Sequence, residues 1–374
     1  MSQKIKVMSV FGTRPEAIKM CPLVKKLQQC EEIESKVCVT AQHRQMLDQV
    51  LEIFQIEPDY DLNLMKDRQT LTTITSGVLH GLGEVLEKEH PDLVLVHGDT
   101  STSFAAALEC FYYQIPVGHV EAGLRTYDKY SPFPEEINRQ LTGRLAELHF
   151  APTKRNEANL QAEGITEHIF RTGNTVIDAF ETTVKEGYQF KEELLNSIDF
   201  EYKKIVLMTA HRRENLGEPL QQICKAVRTI VREQKDIEVI YPVHLNPAVR
   251  ETAFSILGEE ERIHLINPLD VEDMHNLMAK SFLVLTDSGG LQEEAPSFGI
   301  PVVVLRTETE RPEAVEAGTV VIAGNKEEEI YQIAHSLLTE KEKYEAMAHA
   351  VNPYGDGHAS ERIVEAILKW YKAK

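Results

Sequence analysis

Cysteine is scarce in this sequence, and it never occurs at a spacing that binds metal or carries redox chemistry. Five cysteines are found among 374 residues, an odd number, and no two of them form a C-x-x-C pair. A disulfide framework or a structural zinc site would need thiols paired at short, regular spacings. We therefore expect buried, reduced thiols in a cytoplasmic protein.

Long apolar runs are missing as well. No stretch approaches the roughly 18 apolar residues that a membrane-spanning helix needs. The first residues, Met-Ser-Gln-Lys-Ile-Lys-Val, pass directly into a strand-like run without the apolar segment of a secretion signal. These features predict a chain that is neither inserted into a membrane nor exported.

Basic residues are outnumbered, which excludes another class of partner. The chain has 40 Lys and Arg against 59 Asp and Glu, a formal net charge of −19. Sequence-independent nucleic-acid binding needs basic patches, and anionic membranes attract basic segments. We expect neither as a partner, so an Arg or His beside a glycine-rich turn indicates a local anion site.

Several motifs of metal and cofactor enzymes are absent. The sequence contains no H-E-x-x-H, no Walker phosphate loop and no strand-linked G-x-G-x-x-G. The His119-Val120-Glu121 triplet matches the H-x-E of zinc deaminases, but the P-C-x-x-C that would complete that site is missing. We expect no metal centre and no bound cofactor.

The sequence is rich in short Val- and Ile-containing runs that alternate with longer amphipathic stretches. Near-continuous apolar strands separated by helices predict parallel sheets covered on both faces. The strand-like runs are Ile5–Phe11, Lys36–Ala41, Leu93–Gly98, Pro116–Val120, Leu148–Ala151, Ile205–Thr209, Ile237–Val243, Ile263–Ile266, Phe282–Thr286, Pro301–Leu305 and Val320–Ala323.

A polar stretch at 185–204 divides these runs into two series. We therefore predict an α/β protein of two doubly wound, Rossmann-like domains that face each other across a cleft. The predicted N-terminal domain covers residues 1–172 and the C-terminal domain residues 173–359. The last segment, 360–374, is predicted to be a helix that returns to the N-terminal domain.

Polar side chains follow nearly every predicted strand at its carboxyl end, where ligands bind in such sheets. Asp99 and Glu121 end two successive strands, and Glu135 follows in a proline-rich loop. Carboxylates that lie close together divide acid and base roles between them, although Asp99 or Glu135 could instead cap a following helix. His211 and His244 end strands of the second series. This distribution predicts an enzyme with an interdomain site.

The segment Asp287-Ser288-Gly289-Gly290 follows one strand and opens a helical pattern. Adjacent glycines allow close approach of the backbone, and a helix N-terminus favours phosphate. Arg14, just before Pro15, could add a guanidinium to a pyrophosphate. The alternatives are a strand–turn–helix connection that binds nothing and a surface arginine.

Many segments together resemble one family, the non-hydrolysing UDP-N-acetylglucosamine 2-epimerases of bacteria. The resemblance spans essentially the whole chain. It implies the two-domain glycosyltransferase-B architecture, a homodimer, and a reaction without metal or cofactor. The matching segments are Phe11–Lys19, His97–Thr100, Gly118–Arg125, Pro134–Glu136, Thr172–Thr175, His211–Glu214, Pro242–Pro247, Asp287–Gly290, Glu310–Glu313 and Asn352–Gly357.

The resemblance also implies roles for individual residues. The implied catalytic residues are Asp99, Glu121, Glu135 and His211. The implied UDP-binding residues are Arg14, Lys19, Leu269, Met274, Ser288, Gly289, Gly290, Glu294 and Arg311. A second UDP-GlcNAc, acting as an activator, is implied at Gln42, Gln45, Arg68, Glu135, Arg212 and His244.

The implied reaction interconverts UDP-GlcNAc and UDP-ManNAc at C2 and supplies ManNAc for cell-surface polysaccharide. UDP leaves C1 as the C2 proton is removed, 2-acetamidoglucal forms, and UDP adds back after a proton arrives on the other face. Three alternatives remain: a glycosyltransferase of the same architecture, a hydrolysing epimerase that releases ManNAc and UDP, and a non-catalytic sensor of nucleotide sugars.

Overall fold

The computed structural model describes residues 4–41, 44–65 and 69–374, and the chain divides into two compact units. The first consists of Met1–Thr182 and Tyr354–Lys374, and the second of Thr183–Pro353. Each unit is a parallel sheet with alternating helices, which confirms the predicted α/β fold of two doubly wound domains. The functional domain limits at residues 172 and 359 stay a prediction.

The first unit is built on a sheet that has seven strands within the described ranges. Their order is β3-β2-β1-β4-β5-β6-β7, so the direction of winding reverses between β1 and β4. The strands are apolar almost throughout because helices cover both faces. They are β1 (Ile5–Phe11), β2 (Ile33–Val39), β3 (Tyr60–Asp61), β4 (Leu93–His97), β5 (Val117–Val120), β6 (Leu148–Ala151) and β7 (Ile169–Arg171).

Helices of this unit follow its strands, and most begin at a side-chain cap. Thr13 caps the first helix, and its hydroxyl and the Glu16 carboxylate bond each other's backbone N–H groups in a capping box. The helices are α1 (Arg14–Gln29), α2 (Arg44–Ile53), α3 (Leu71–Glu89), α4 (Ser101–Tyr112), α5 (Glu135–Leu145), α6 (Lys154–Ala162), α7 (Thr175–Asp178) and α8 (Phe180–Thr183).

The second unit repeats the same winding around a six-stranded sheet, counted over the described residues. Its order is β10-β9-β8-β11-β12-β13, with the reversal between β8 and β11. The strands are β8 (Lys204–Thr209), β9 (Ile237–Pro242), β10 (Ile263–Ile266), β11 (Leu283–Thr286), β12 (Val302–Val304) and β13 (Val320–Ile322). The helices are α9 (Glu218–Glu233), α10 (Pro247–Leu257), α11 (Val271–Ala279), α12 (Gly289–Glu294), α13 (Pro312–Ala317), α14 (Glu327–Thr339) and α15 (Lys341–Ala348).

The last helix, α16 (Ala359–Ala373), packs against α1 and α7 in the first unit. The Asp178 carboxylate accepts the backbone N–H groups of Ala359 at 3.2 Å and Ser360 at 2.7 Å, which satisfies the start of α16. Lys26 on α1 donates to Glu361 at 3.0 Å. None of the helices in the described ranges combines the length and the apolar character needed to span a bilayer.

Candidate active site

The carboxyl ends of β4 and β5 lie side by side in the first unit. The two strands pair in parallel with His97 opposite Val120, and the Gly98 amide donates to the Val120 carbonyl at 2.9 Å. A Cβ atom built on Gly98 would lie 3.7 Å from Glu121 Oε1. Asp99 and Glu121 therefore leave the sheet on adjacent strands, which confirms that the two strands are neighbours.

Glu121 is held in a strained backbone conformation by several polar partners. Its φ is +60°, a left-handed value that costs a residue with a side chain on the order of 1–3 kcal/mol. The Lys19 ammonium donates to Glu121 Oε2. Asn174 Nδ2 donates to the same oxygen at 2.9 Å, and His97 Nε2 lies 3.6 Å from it.

These partners also fix the charge of Glu121. Burial by itself would raise the pKa of this carboxyl, but Lys19 and His97 together hold its pKa well below the usual range. Glu121 is therefore a carboxylate at neutral pH, which is the form of the side chain that can accept a proton.

We expect a Lys19→Met variant to lose activity at acid pH before the native protein does. Without the ammonium, burial dominates and the pKa of Glu121 rises, so the carboxylate protonates at a higher pH as the solution is acidified. The acid limb of the kcat–pH profile should move toward neutrality. Lys25→Met is the matched control, since Lys25 lies on the same helix and donates to the Gln55 carbonyl. An acid limb that stays in place would contradict this role for Lys19.

Asp99 is oriented by α5. Arg139 Nη2 donates to Asp99 Oδ2 at 2.5 Å, and Asn138 Nδ2 donates to the Asp99 carbonyl at 2.9 Å. The alternative that Asp99 caps α4 is wrong, because Thr100 is the cap and its hydroxyl accepts the Ser103 N–H at 3.1 Å. The Asp99 carboxylate faces a guanidinium instead.

Glu135 is the first residue of α5, and Pro134 stands at the capping position without a side-chain capping bond. The alternative that Glu135 caps this helix is therefore wrong as well. Glu135 Oε2 is buried and has no hydrogen-bond partner within the described part of the chain. Buried carboxylate oxygens are normally paired, so this oxygen is suited to contact a ligand or a reacting proton.

Glu136 organises the loop that leads into α5. It is fully buried, and it accepts the backbone N–H groups of Thr126 at 2.9 Å and Tyr127 at 3.1 Å. Burial would raise its pKa, but these N–H groups, Gln140 and Arg139 lower the pKa of this carboxyl. Glu136 therefore stays charged and also accepts from Arg139 Nη1 at 3.2 Å.

Glu16 joins the loop after β1 to the loop after β4. One of its oxygens accepts the N–H groups of Gly12 at 3.0 Å and Thr13 at 2.8 Å. The other accepts the hydroxyls of Thr100 at 2.6 Å and Ser103 at 3.1 Å. The carboxylate is buried, so two loops that carry predicted site residues depend on one side chain.

His119 is buried and bonds the backbone at the end of β4. Its ring is fully buried, and burial lowers the pKa of the imidazole to about 3. The neutral ring donates from Nε2 to the Gly98 carbonyl at 2.7 Å, which supports the left-handed turn at Gly98, whose φ is +63°. Across the described ranges, no group of three or more His, Cys, Asp or Glu side chains is placed to hold a metal ion.

In the second unit, the glycine pair after β11 opens α12 beside an arginine. A Cβ atom built on Gly289 would lie 2.7 Å from Arg311 Cζ, so any larger residue would displace this guanidinium. Arg311 Nε donates to Glu293 Oε1 at 2.6 Å, which fixes the side chain. Ser288 occupies the capping position of α12. Ser288, Gly289 and Arg311 are thus brought together as the sequence predicts.

Glu294 lies at the end of α12, and His275 on α11 contacts it. His275 Nε2 is 3.5 Å from Glu294 Oε2, and the Thr183 hydroxyl is 2.8 Å from His275 Nδ1. His275 is buried, so its orientation is set from both edges of the ring. No local pattern in the sequence indicated this partner for Glu294.

The two histidines predicted at strand ends of the second unit stack on each other. The ring centroids of His211 and His244 are 5.2 Å apart, and the ring planes differ by 6°. Burial lowers the pKa of His211, and His244 and Arg212 lower it further, whereas Asp287 opposes the shift. Arg212 follows in the same loop, so three predicted residues are close together here.

The remaining predicted residues are scattered between the two units. Arg14 is the first residue of α1 and Gln45 is exposed on α2, while Leu269 is buried just before α11 and Met274 is half-buried within it. Gln42 and Arg68, both predicted to bind the activator, lie outside the described residues.

The family model described as UDP-N-acetylglucosamine 2-epimerase matches residues 25–368 of this chain. The chain belongs to this epimerase family. The predicted resemblance is thereby confirmed at the level of the family.

Individual epimerases are similar over nearly their whole length. The UDP-N-acetylglucosamine 2-epimerase of Bacillus subtilis is 60% identical over 370 residues, covering 99% of this chain and 96% of its own. The Neisseria meningitidis epimerase bound to UDP-GlcNAc is 49% identical with a TM-score of 0.89, covering 98% of this chain and 100% of its own. The Methanocaldococcus jannaschii epimerase in complex with UDP-GlcNAc and UDP is 34% identical with a TM-score of 0.80, covering 98% of this chain and 100% of its own.

Several residues that shape this candidate site were not predicted individually from the sequence. Some signals were present, since Glu136 adjoins Glu135 and Arg139 follows one helical turn later, where side chains share a face. No local signal marked the others, because their partners are distant in sequence. No individual role was predicted for Glu16, Arg139, Asn174 and His275, and the contacts of His97, His119, Glu136 and Asp287 were not predicted, although these four lie in segments singled out above.

Proposed function

We propose that this protein is a non-hydrolysing UDP-N-acetylglucosamine 2-epimerase, which interconverts UDP-GlcNAc and UDP-ManNAc. The observation that carries the proposal is the charged, strained Glu121, which follows β5 directly, next to the strand that leads to Asp99. An epimerisation at C2 needs one group to remove a proton and another to deliver one. A nucleotide-sugar sensor would not need such a set of carboxylates, and a glycosyltransferase would need a groove for its acceptor.

The proposed reaction begins with loss of the C2 proton to a carboxylate. As that C–H bond breaks, its electron pair forms the C1=C2 double bond of 2-acetamidoglucal, and the C1–O bond to UDP breaks. A carboxylic acid then delivers a proton to the opposite face of C2, and a UDP oxygen adds back to C1. Asp99, Glu121 and Glu135 supply the proton carriers in this proposal.

The second unit supplies the proposed grip on UDP. Departure of UDP places negative charge on the diphosphate, and a fixed guanidinium stabilises such charge. Arg311 is fixed by Glu293, and the glycines of α12 allow close approach. Glu294, Leu269 and Met274 complete the predicted nucleoside contacts.

Exchange of the C2 hydrogen with solvent tests the proposed function. The protein is incubated with UDP-GlcNAc in deuterium oxide, and C2 is followed by proton NMR while phosphorus NMR follows UDP. We expect UDP-ManNAc to form, deuterium to enter C2 of the UDP-sugars, and free UDP to stay at trace levels.

The same spectra separate the alternatives. Free ManNAc released together with one equivalent of UDP would identify a hydrolysing epimerase. Turnover only after addition of a sugar acceptor would identify a glycosyltransferase, and no change in either spectrum would contradict an enzyme of this class. A reaction without protein is the control for spontaneous exchange.

We further propose that UDP-GlcNAc activates the reverse reaction from a second binding position. With UDP-ManNAc as the substrate, we expect a progress curve that begins slowly and accelerates, because the product favours the active state. Traces of UDP-GlcNAc should abolish the lag. Gln45→Ala should raise the UDP-GlcNAc concentration needed to abolish the lag by about tenfold, a factor within the usual range of coupling between two binding sites.

Gln49 provides a matched control for this prediction. It is also exposed on α2, one turn after Gln45, and it lies outside the predicted activator residues. Gln49→Ala should therefore leave the lag and its response unchanged. A linear progress curve that ignores added UDP-GlcNAc would show that the regulation is absent.

Three further features stay predictions under this proposal. They are a homodimeric state, a cytoplasmic location and the supply of ManNAc for cell-surface polysaccharide. The first can be measured by sedimentation at micromolar concentration, and the other two need experiments in the cell.

A further inference from the structure

Asp287 is a buried carboxylate with one oxygen that is fully bonded and another that is not. Its side chain has no exposed surface. Asp287 Oδ2 accepts the backbone N–H groups of His211 and Arg212, both at 2.8 Å, and Asn215 Nδ2 at 3.0 Å. Asp287 Oδ1 has no hydrogen-bond partner within the described residues, and it lies 3.5 Å from His211 Nδ1.

The surroundings of Asp287 hold it firmly. Its backbone N–H donates to the Thr209 carbonyl at 3.2 Å, and the hydroxyls of Thr209 and Thr286 lie 2.6 Å apart between β8 and β11. Asn215 Nδ2 donates in addition to the Leu305 carbonyl at 2.9 Å. The carboxylate therefore cannot turn away from His211 without breaking its bonds to the N–H groups of His211 and Arg212 and to the Asn215 side chain.

From this geometry we infer that Asp287 is a positioning residue that fixes His211 in one tautomer, with the proton on Nδ1. A neutral imidazole carries one N–H, and a buried carboxylate oxygen without a donor favours that N–H on the nearer nitrogen. Nε2, on the other edge of the ring, is then a hydrogen-bond acceptor. The separation of 3.5 Å is longer than a normal hydrogen bond, and such contacts often tighten when substrate binds.

The assignment changes what His211 can do. With its proton held toward Asp287, the neutral ring can accept a proton or a hydroxyl hydrogen bond at Nε2, but it cannot donate from that nitrogen. The exposed part of the ring, 39% of its side chain, is what a ligand can reach. This consequence for turnover rests on the proposed epimerase function, whereas the tautomer itself does not.

Asp287→Asn should reverse the tautomer without removing the hydrogen bonds to the loop. Three N–H donors require an oxygen at the position of Oδ2, so the asparagine amide NH2 must face His211 Nδ1. That group is a donor, and it forces Nδ1 to become the acceptor and Nε2 to carry the proton. The same reversal of a histidine by an Asp→Asn change is known from catalytic triads.

Nitrogen NMR on the full chain with 15N-labelled histidine tests this inference. Spectra are taken above the titration range of the imidazoles, and the His211 signals are assigned by their loss in His211→Gln. We expect the His211 signals of the native protein to be those of a ring protonated on Nδ1, and the signals of Asp287→Asn to be those of a ring protonated on Nε2. An Nε2–H pattern in the native protein, or no change in the variant, would overturn the inference.

Turnover is measured in parallel so that the two proposals can fail separately. We expect kcat of Asp287→Asn to fall by on the order of 100-fold, with UDP affinity changed far less. Asn215→Ala is the control, since it removes a donor to Oδ2 and leaves Oδ1 facing His211, so the Nδ1–H pattern should persist. Absence of epimerase activity in the native protein would refute the proposed function and leave the tautomer result standing.

Discussion

Glu121→Gln should lower kcat by on the order of 100-fold or more, because it removes a proton acceptor from the reaction. The amide has nearly the same shape, but it cannot carry the negative charge that Lys19 and His97 stabilise. Two donors, Lys19 and Asn174, converge on Glu121 Oε2, and a glutamine oxygen there still accepts both. We therefore expect the fold and the affinity for UDP to be retained.

Steady-state kinetics with UDP-GlcNAc and calorimetric titration with UDP provide the two measurements. Glu147→Gln is a suitable control, because Glu147 is a half-exposed carboxylate in the same unit. A kcat near that of the native protein would show that Glu121 is a structural residue only. Loss of UDP affinity equal to the loss of kcat would assign it to binding instead.

Glu16→Ala should destabilise the first unit and slow the reaction together. The change leaves two N–H groups and the Thr100 hydroxyl without their buried acceptor, while the Ser103 hydroxyl can still donate to the His97 carbonyl at 2.5 Å. Each unsatisfied group costs about 1–3 kcal/mol where water cannot replace the partner. We expect a loss of roughly 3 kcal/mol and a melting temperature lower by on the order of 8 °C. Displacement of the loop that carries Asp99 should lower kcat by at least about tenfold.

Glu16→Gln is the decisive comparison for that prediction. A glutamine oxygen can accept from Gly12 and Thr13, while its NH2 group donates to the hydroxyls of Thr100 and Ser103, which are able to accept. Stability and kcat should therefore be largely restored. If Glu16→Ala has the melting temperature and the kcat of the native protein, Glu16 does not hold the two loops together.

The fold could be predicted largely because the sheets are covered on both faces. β4 is buried at all five positions, so its residues form an unbroken apolar run that marks a strand. The prediction was less accurate where strands meet solvent. The strand predicted at 36–41 spans Ile33–Val39 in the structure, because the exposed Glu34 interrupts the apolar pattern at its start. β3 was not predicted, because a strand of two residues is too short to show any periodicity.

The site was predictable in part, for a related reason. Parallel strands bring their carboxyl ends to one edge, so the residues that follow them, such as Asp99 and Glu121, could be identified in order. What sequence could not indicate is the set of contacts between segments. The three donors to Asp287 Oδ2 lie 72 to 76 residues away, and no local pattern connects them.

The left-handed backbone at Glu121 escaped prediction for the same reason. A positive φ is predictable where glycine or asparagine stands, and a glutamate gives no such sign. Lys19 and Asn174 donate to the carboxylate and hold it in this conformation, with His97 Nε2 3.6 Å away. Strain of this kind is often found at functional residues, and here the structure had to reveal it.

The placement of α16 has a mechanical consequence. Because Ile5 and Trp370 belong to the same unit, a stretching force applied at these two residues would act across the contacts of α1 and α7 with α16. The residues between Thr182 and Tyr354 would carry no tension while the Asn174 N–H remains bonded to the Tyr354 carbonyl at 2.6 Å and Asp178 remains bonded to Ser360. The second unit is thus a loop insertion shielded from tension, and it should stretch only after the first unit has opened.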